Sequence, residues 1–194
     1  MNIIMTGSTS FVGAATVREL LRRGHTVTAI VRPKSSKLDT ILEGNEEALL
    51  SGRLLVIEND LSEPERLLEK VTKPQDVFCH FGWGGSGSAS RTDKALQEKN
   101  MEISLETVRT AEALGCSKFL FSGSQAEYGM HRDLITEETV CEPKSLYGEA
   151  KLAMREKGEK LCGELGLRYI HARIFSAYGP GDHPWTLVES CLDA

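Results

Sequence analysis

Apolar residues recur along this chain with two different periods. Short alternating or continuous apolar runs at 2–5, 26–31, 53–58, 77–81, 118–121 and 168–174 predict six strands. Between them the spacing becomes helical. Residues 14–23 put Val17, Leu20 and Leu21 on one face and Arg18, Arg22 and Arg23 on the other. A second helical stretch lies within 36–50, broken by a polar loop at Gly44-Asn45. A third covers 63–71 behind Ser62-x-x-Glu65, the spacing of a capping box. A long helix at 92–114 carries Leu96, Ile103, Leu105, Val108 and Ala111, and another runs from Tyr147 to about Leu165. Strands that alternate with helices in this order predict an α/β fold, a doubly wound parallel sheet with helices on both faces.

The turns add chemistry to that frame. The first strand is followed by Thr6-Gly7-Ser8-Thr9-Ser10-Phe11-Val12-Gly13, then a helix and a second strand. Such a turn aims free backbone N–H groups and a helix N-terminus at a pyrophosphate. The spacing here is G-x-x-S-x-x-G, with Ser10 where a middle glycine would allow the closest approach. Its hydroxyl can donate to a phosphate oxygen; the plainer alternative is a helix cap. The strand–turn–helix–strand context favours phosphate binding. The second strand ends in Arg32-Pro33-Lys34, with Lys37 close behind and no acid between Thr26 and Leu38. A cation there suits the 2′-phosphate of NADP, whereas an acid would suit NAD. The alternative is a solvated basic loop. Asp60, at the end of the third strand, can accept from an adenine amino group or serve as a turn residue. The glycine-serine run at 82–88 sits at the carboxyl edge of the sheet and reads as a mobile loop over a cofactor.

Tyr147 and Lys151 lie four residues apart and therefore share a helix face. A cation one turn away favours the phenolate and would bring the tyrosine toward working pH. A second positive charge, such as an oxidised nicotinamide, would help. Spacing alone is weak, since many solvated helix faces carry such a pair. Ser124, past the end of the preceding strand, can hold a substrate oxygen beside Tyr147.

Composition narrows the classes. The 194 residues suffice for one domain with a full core, and 40% hydrophobic with 26% charged residues is ordinary for a globular protein. A net charge of −5 argues against nucleic acid or an anionic membrane as partner. No apolar run approaches the roughly 20 residues of a membrane span. The amino terminus enters a strand directly, without the basic stretch of a signal peptide. Five scattered cysteines, with no C-x-x-C pair and no histidines at ligand spacing, fit free thiols in a reducing cytoplasm and no metal site.

The ordered motifs resemble those of extended short-chain dehydrogenases/reductases of the nucleotide-sugar epimerase/dehydratase type. They are Thr6-Gly7…Gly13, Asp60-Leu61, His80-Phe81-Gly82, Asn100, Phe121-Ser122-Gly123-Ser124, Tyr147-x-x-x-Lys151 and Arg173-x-Phe175-Ser176-x-Tyr178-Gly179-Pro180. The resemblance implies a Rossmann-type fold and a catalytic set of Ser124, Tyr147 and Lys151. Tyr147 would be the acid/base on the substrate oxygen, Ser124 would bond that oxygen, and Lys151 would grip the nicotinamide ribose. It implies a cofactor site of Gly7, Ser10, Phe11, Val12, Gly13, Arg32, Asp60, Leu61, Phe81, Gly82, Phe175, Tyr147 and Lys151. NADP is the expected cofactor, with NAD as the alternative. His80 reads as a packed strand residue and Asn100 as a structural hydrogen-bonding group.

Three departures matter. Ser10 replaces a glycine, and Ser176 stands where such proteins usually carry asparagine. Gln125-Ala126 replaces the Asp-Glu of the 4,6-dehydratases, so water elimination is disfavoured. The implied activity is epimerisation or 4-ketoreduction of a nucleotide sugar. The alternatives are a reductase of another carbonyl compound and a non-catalytic NADP-binding sensor. The expected division is a Rossmann domain at 1–178 and, at 179–194, the start of a substrate lobe that is mostly absent. The helices at 92–114 and 147–165 would support a homodimer, as the first carries more apolar surface than one stripe requires.

Overall fold

The computed structural model describes residues 1–85, 89–182 and 186–192. Six strands form one parallel sheet: β1 (Asn2–Thr6), β2 (Thr26–Val31), β3 (Leu54–Glu58), β4 (Val77–His80), β5 (Lys118–Ser124) and β6 (Arg168–Ile174). Their spatial order is β3-β2-β1-β4-β5-β6. The chain builds outward from β1 through β3, then crosses back to lay β4 on the other side of β1. The carboxyl ends of β1 and β4 therefore flank the switch point, where such sheets open a crevice.

Alternation along each strand divides the core into two layers. On one face Ile3, Met5, Val27, Ala29, Val31 and Cys79 pack under α1 (Phe11–Arg22), α2 (Asp39–Leu42) and α3 (Glu46–Leu50). On the other, Ile4, Ile30, Phe78, Phe119 and Phe121 meet α4 (Leu67–Lys70), α5 (Lys94–Ala113) and α6 (Leu146–Glu164). Phe78, Phe119 and Phe121 are fully buried and centre that second layer. A short helix, α7 (Leu187–Leu192), follows near the end of the chain.

Several boundaries differ from the sequence expectation for local reasons. The first helix starts at Phe11 rather than at residue 14. The Ser10 Oγ accepts the Gly13 N–H (3.1 Å) and caps it. The stretch at 36–50 divides into α2 and α3 around Gly44, whose φ is +75°. The expected capping box at Ser62 does not form. Ser62 gives both its N–H and its hydroxyl to the Asp60 Oδ1 (2.9 and 2.6 Å), and a 3-10 turn at Pro64–Arg66 precedes the short α4. β5 runs to Ser124 instead of 121, because β6 pairs with it as far as Ser124 opposite Ile174.

The long helix α5 corrects the expectation most. Its buried face is largely polar, carrying Gln97, Asn100, Ser104, Thr107 and Thr110 beside Val108 and Ala111. Each finds a partner: Gln97 takes the Trp83 indole N–H (2.9 Å), and Ser104 meets His80 Nε2 (3.1 Å). Thr107 and Thr110 donate to carbonyls one turn back. The apolar surplus is correspondingly small. Val108 is fully buried, and Leu105 packs against the core. Leu96 lies against Gly85, where an added Cβ would overlap its side chain.

Candidate active site

A cleft of about 1200 Å³ opens at the carboxyl ends of the strands. Of the residues expected to bind cofactor or act in catalysis, all but Gly13 line it. Gly13 stands behind the wall. A Cβ there would collide with the Gly7 carbonyl and come within 2.8 Å of Ser10 Oγ, so this glycine lets the first turn of α1 close on the loop. Gly7 has φ +69°, and a Cβ on it would lie 2.7 Å from the Phe81 carbonyl carbon. The turns after β1 and β4 thus touch backbone to backbone, and only glycine permits it.

The residues present fit a dinucleotide. At the head of α1, the Phe11 and Val12 N–H groups have no acceptor among the described residues, as first-turn amides lack one within a helix. They line the cleft and can serve a pyrophosphate. Ser10 lines the cleft beside them, and its hydroxyl donates to the Gly7 carbonyl (2.8 Å). Arg32 and Lys37 line the cleft beyond β2. One carboxylate does reach this region, from the neighbouring strand: Glu58 Oε1 accepts the Lys34 N–H (3.4 Å). Asp60 also lines the cleft, although its Oδ1 is held by Ser62. Those two hydrogen bonds keep its carboxyl below the usual carboxylate range.

Ser124, Tyr147 and Lys151 converge on the opposite wall. Ser145 caps α6 by accepting the Gly148 N–H (3.1 Å), which starts the helix one residue before Tyr147. A Cβ on Gly148 would sit 2.5 Å from the Ala126 carbonyl oxygen. That close approach sets the Tyr147 hydroxyl beside Ser124, whose side chain acts to lower its pKa. Ser124 itself begins a 3-10 turn, its Oγ accepting the Ala126 N–H (3.2 Å).

Burial governs the charges here. It raises the Tyr147 phenol above its ordinary value, against the Ser124 side chain and the Arg91 charge, which lower it, while Glu127 adds to the rise. Lys151 is buried and donates to the Ser122 carbonyl (2.8 Å), with its Nζ 4.0 Å from the Trp83 ring centre and 4.5 Å from that of Phe121. Burial pushes it down to about 7, opposed by the Glu127 charge. The expected lowering of Tyr147 by Lys151 is therefore not a property of the free protein. Desolvation outweighs the one-turn spacing.

Sequence spacing did not single out Trp83, Arg91, Glu127 or His171, and gave Arg173, the first residue of a motif, no role. Trp83 stands edge-on to Tyr147 (6.2 Å, 88°), and the Arg91 guanidinium lies 5.0 Å from the Tyr147 ring centre. Glu127 is wholly buried and bonds His171 and Arg173 from β6. Trp83 lies within the glycine-serine run and Arg91 just after it, where no periodicity marks them. His80 is packed as expected, between Thr6 Oγ1 (2.9 Å) and Ser104, and burial pushes it down to about 3. Asn100 accepts the Gly84 N–H (3.0 Å) and donates to its carbonyl (2.7 Å), which fixes the loop after β4. The expected mobile segment extends to 86–88, outside the described residues. Gln125 lines the cleft, whereas Ser176 does not.

The sheet order, the glycine turn after β1 and the crevice at the switch point define a Rossmann-type dinucleotide-binding fold. The sequence model of the NAD-dependent epimerase/dehydratase family matches residues 3–193, and the chain belongs to that family. It is 29% identical over 178 residues to a D-erythronate dehydrogenase of Cupriavidus necator, covering 90% of this chain and 53% of that protein. It is also 29% identical over 175 residues to a dTDP-6-deoxy-L-talose 4-dehydrogenase (NAD(+)) of Aggregatibacter actinomycetemcomitans, covering 88% and 60%. Among solved structures it resembles a UDP-glucose 4-epimerase of Thermotoga maritima with UDP-glucose. That match has a TM-score of 0.79 at 25% identity, over 96% of this chain and 59% of that one. The chain thus spans just over half the length of the relatives it matches. Among the described residues no helix is long and apolar enough to cross a membrane.

Proposed function

We propose that this chain forms the cofactor-binding and catalytic part of an enzyme that epimerises a nucleotide sugar or reduces its 4-keto form. Residues 1–178 would hold NADP, and 179–194 would begin the substrate-binding lobe. The observation that carries this reading is the convergence of Ser124, Tyr147 and Lys151 on one wall of a cleft whose other wall suits a dinucleotide. A bound nicotinamide would supply the hydride acceptor or donor. Tyr147 would move the proton at the substrate oxygen, and Ser124 would hold that oxygen by its hydroxyl. Lys151, once charged, would pair with ribose oxygens and favour the Tyr147 phenolate. Trp83 and Phe121 keep water from the Lys151 ammonium.

The names of the relatives support oxidation or reduction at a carbinol carbon, and two concern nucleotide sugars. Gln125 and Ala126 supply neither the acid nor the base that water elimination needs, which argues against a dehydratase. Arg32 and Lys37 at the end of β2 support NADP, while the talose dehydrogenase name specifies NAD(+). The likeness to a D-erythronate dehydrogenase favours a second reading, a carbonyl substrate without a nucleotide. A sensor without catalysis fits less well, since it has no use for the Tyr147–Lys151 pair.

The test is Tyr147→Phe, made in this chain or, where that shows no turnover, in a polypeptide extended through a substrate lobe. Hydride transfer should be lost while cofactor affinity changes only a few-fold. Near-normal turnover would refute the assignment.

A further inference from the structure

Beneath the catalytic wall lies a buried ionic cluster that the proposed chemistry does not itself use. The Glu127 carboxylate accepts the Ser124 N–H (2.7 Å), both of its oxygens face His171 Nε2 (3.0 and 2.9 Å), and Arg173 Nε donates to it (2.8 Å). Glu127 is fully buried, with His171 and Arg173 side chains only 8% and 10% exposed. Such a cluster is costly to form: apolar side chains of similar volume are often neutral or stabilising in place of a buried ion pair. The backbone is also shaped to admit it. A Cβ on Gly123 would meet the His171 imidazole and lie 2.7 Å from Glu127 Oε1, so β5 carries a glycine where the cluster needs room.

We propose that Glu127 is a positioning residue of this site: its carboxylate fixes Ser124 on the cleft wall and backs Tyr147 and Lys151 with a permanent buried negative charge. The proposal rests on the reading that Ser124, Tyr147 and Lys151 do the chemistry. Three connections carry it. The Ser124 side chain and the Glu127 carboxylate form a reciprocal capping box, which locks the turn that presents the Ser124 hydroxyl. His171 Nδ1 faces the Tyr169 hydroxyl (2.9 Å), which in turn donates to the Met154 carbonyl of α6 (3.2 Å), on the helix that carries Tyr147 and Lys151. Arg173 extends the cluster outward, donating to the Tyr128 hydroxyl (2.8 Å) and the Cys141 sulfur (3.4 Å), and so ties down the segment leading to α6.

The titratable and charged groups facing Glu127 are His171 and Arg173 from β6, Tyr147 and Lys151 from α6, and Tyr169 beyond His171. Hydrogen bonds from His171 and Arg173 hold the Glu127 carboxyl below the usual range against the opposing effect of burial. It is therefore charged at neutral pH. That charge favours the cationic form of Lys151 and disfavours the anionic form of Tyr147.

Two substitutions separate charge from reach. Glu127→Gln keeps an acceptor for the Ser124 N–H and removes the charge. Glu127→Asp keeps the charge and withdraws it by one methylene. The probes are carbon-13 NMR titrations of labelled tyrosine and lysine, with amide hydrogen exchange, on the free chain. In Glu127→Gln the Lys151 and Tyr147 midpoints should both fall by about one pH unit. In Glu127→Asp the Ser124 amide should exchange about tenfold faster. A folded Glu127→Gln with a lower melting temperature and unmoved midpoints would overturn the proposal, because that is what a merely structural cluster predicts. Should Glu127→Gln not fold, Glu127→Asp decides: unchanged Ser124 exchange overturns the positioning role. None of these readouts needs turnover or cofactor, so an active Tyr147→Phe would refute the catalytic reading separately.

Discussion

Raising the pH through the Lys151 transition should weaken cofactor binding. In the free protein the Lys151 Nζ has one hydrogen bond among the described residues, to the Ser122 carbonyl, and its nearest aromatic rings at 4.0 and 4.5 Å. Cation–π contacts return about 0.5–2 kcal/mol, less than desolvation of a buried ammonium costs. The balance sets its pKa at about 7. An anionic dinucleotide in the cleft favours the charged form, so above pH 7 binding must take up a proton. Affinity should then fall about 50-fold between pH 7 and 9, approaching tenfold per pH unit at the upper end, equal to about 2.3 kcal/mol. Calorimetry with NADP from pH 6 to 9, in buffers of differing ionisation enthalpy, counts the proton directly. Lys151→Met should bind more weakly and lose the slope. A flat wild-type profile, or the same slope in Lys151→Met, would refute the reasoning.

Folding stability should move the other way. The ordinary lysine value is 10.5 and the folded value about 7, so between them the unfolded chain holds a proton that the folded chain lacks. Stability of the free protein therefore rises with pH across that interval, and it is lowest below pH 7. Buried thiols oppose this trend at higher pH. Cys79 is pushed up to about 11 and Cys116 and Cys162 to about 12 from 9.0, so they lose stability above pH 9. The interval from pH 7 to 9 isolates the lysine. A melting temperature that rises there while NADP affinity falls is the expected signature.

Arg32→Ala should remove most of a preference for NADP over NAD that is expected to be about tenfold or more, since a charge-assisted contact contributes roughly 1.5–3 kcal/mol. Equal affinities in the unsubstituted chain would leave Arg32, Lys34 and Lys37 as solvated surface. A pair of copies joined through α5 and α6 should give twice the chain mass by light scattering at tens of micromolar. A single-copy mass there would count against the pairing, as does the burial of Val108 and Leu105 in the core.

Layering was legible because it depends on local period. Ile3 and Met5 against Ile4, and Cys79 against Phe78, divide between the two faces as alternation requires. Glycine turns and the order of motifs placed the cleft for the same reason. What failed depended on partners distant in sequence. The burial of Gln97 and Ser104 on α5 was not legible, because nothing in 92–114 announces that Trp83 and His80 will meet them. One local pairing also escaped: the Ser10 hydroxyl donates to the Gly7 carbonyl three residues back, which the G-x-x-S-x-x-G spacing does not show. Glu127 drew no notice because its partners lie 44 and 46 residues away on β6.

Lys151 and Tyr147 show why spacing places groups without fixing their charge. The helix puts them one turn apart, yet burial moves the lysine down and the tyrosine up, so just above pH 7 both favour the neutral form. Neither then helps the other. Glu127 pulls Lys151 back toward the cation but pushes Tyr147 further from the phenolate, so no fixed charge behind the wall can activate both. The missing contribution must come from the cleft side. Arg91, which lines the cleft 5.0 Å from the Tyr147 ring centre, supplies part of it by lowering the tyrosine. An anion bound near Lys151 and a positive ring near Tyr147 would supply the rest, each acting on the residue that burial has moved the wrong way. If Tyr147 is the acid/base proposed above, proton transfer there should become available only when the cleft is filled.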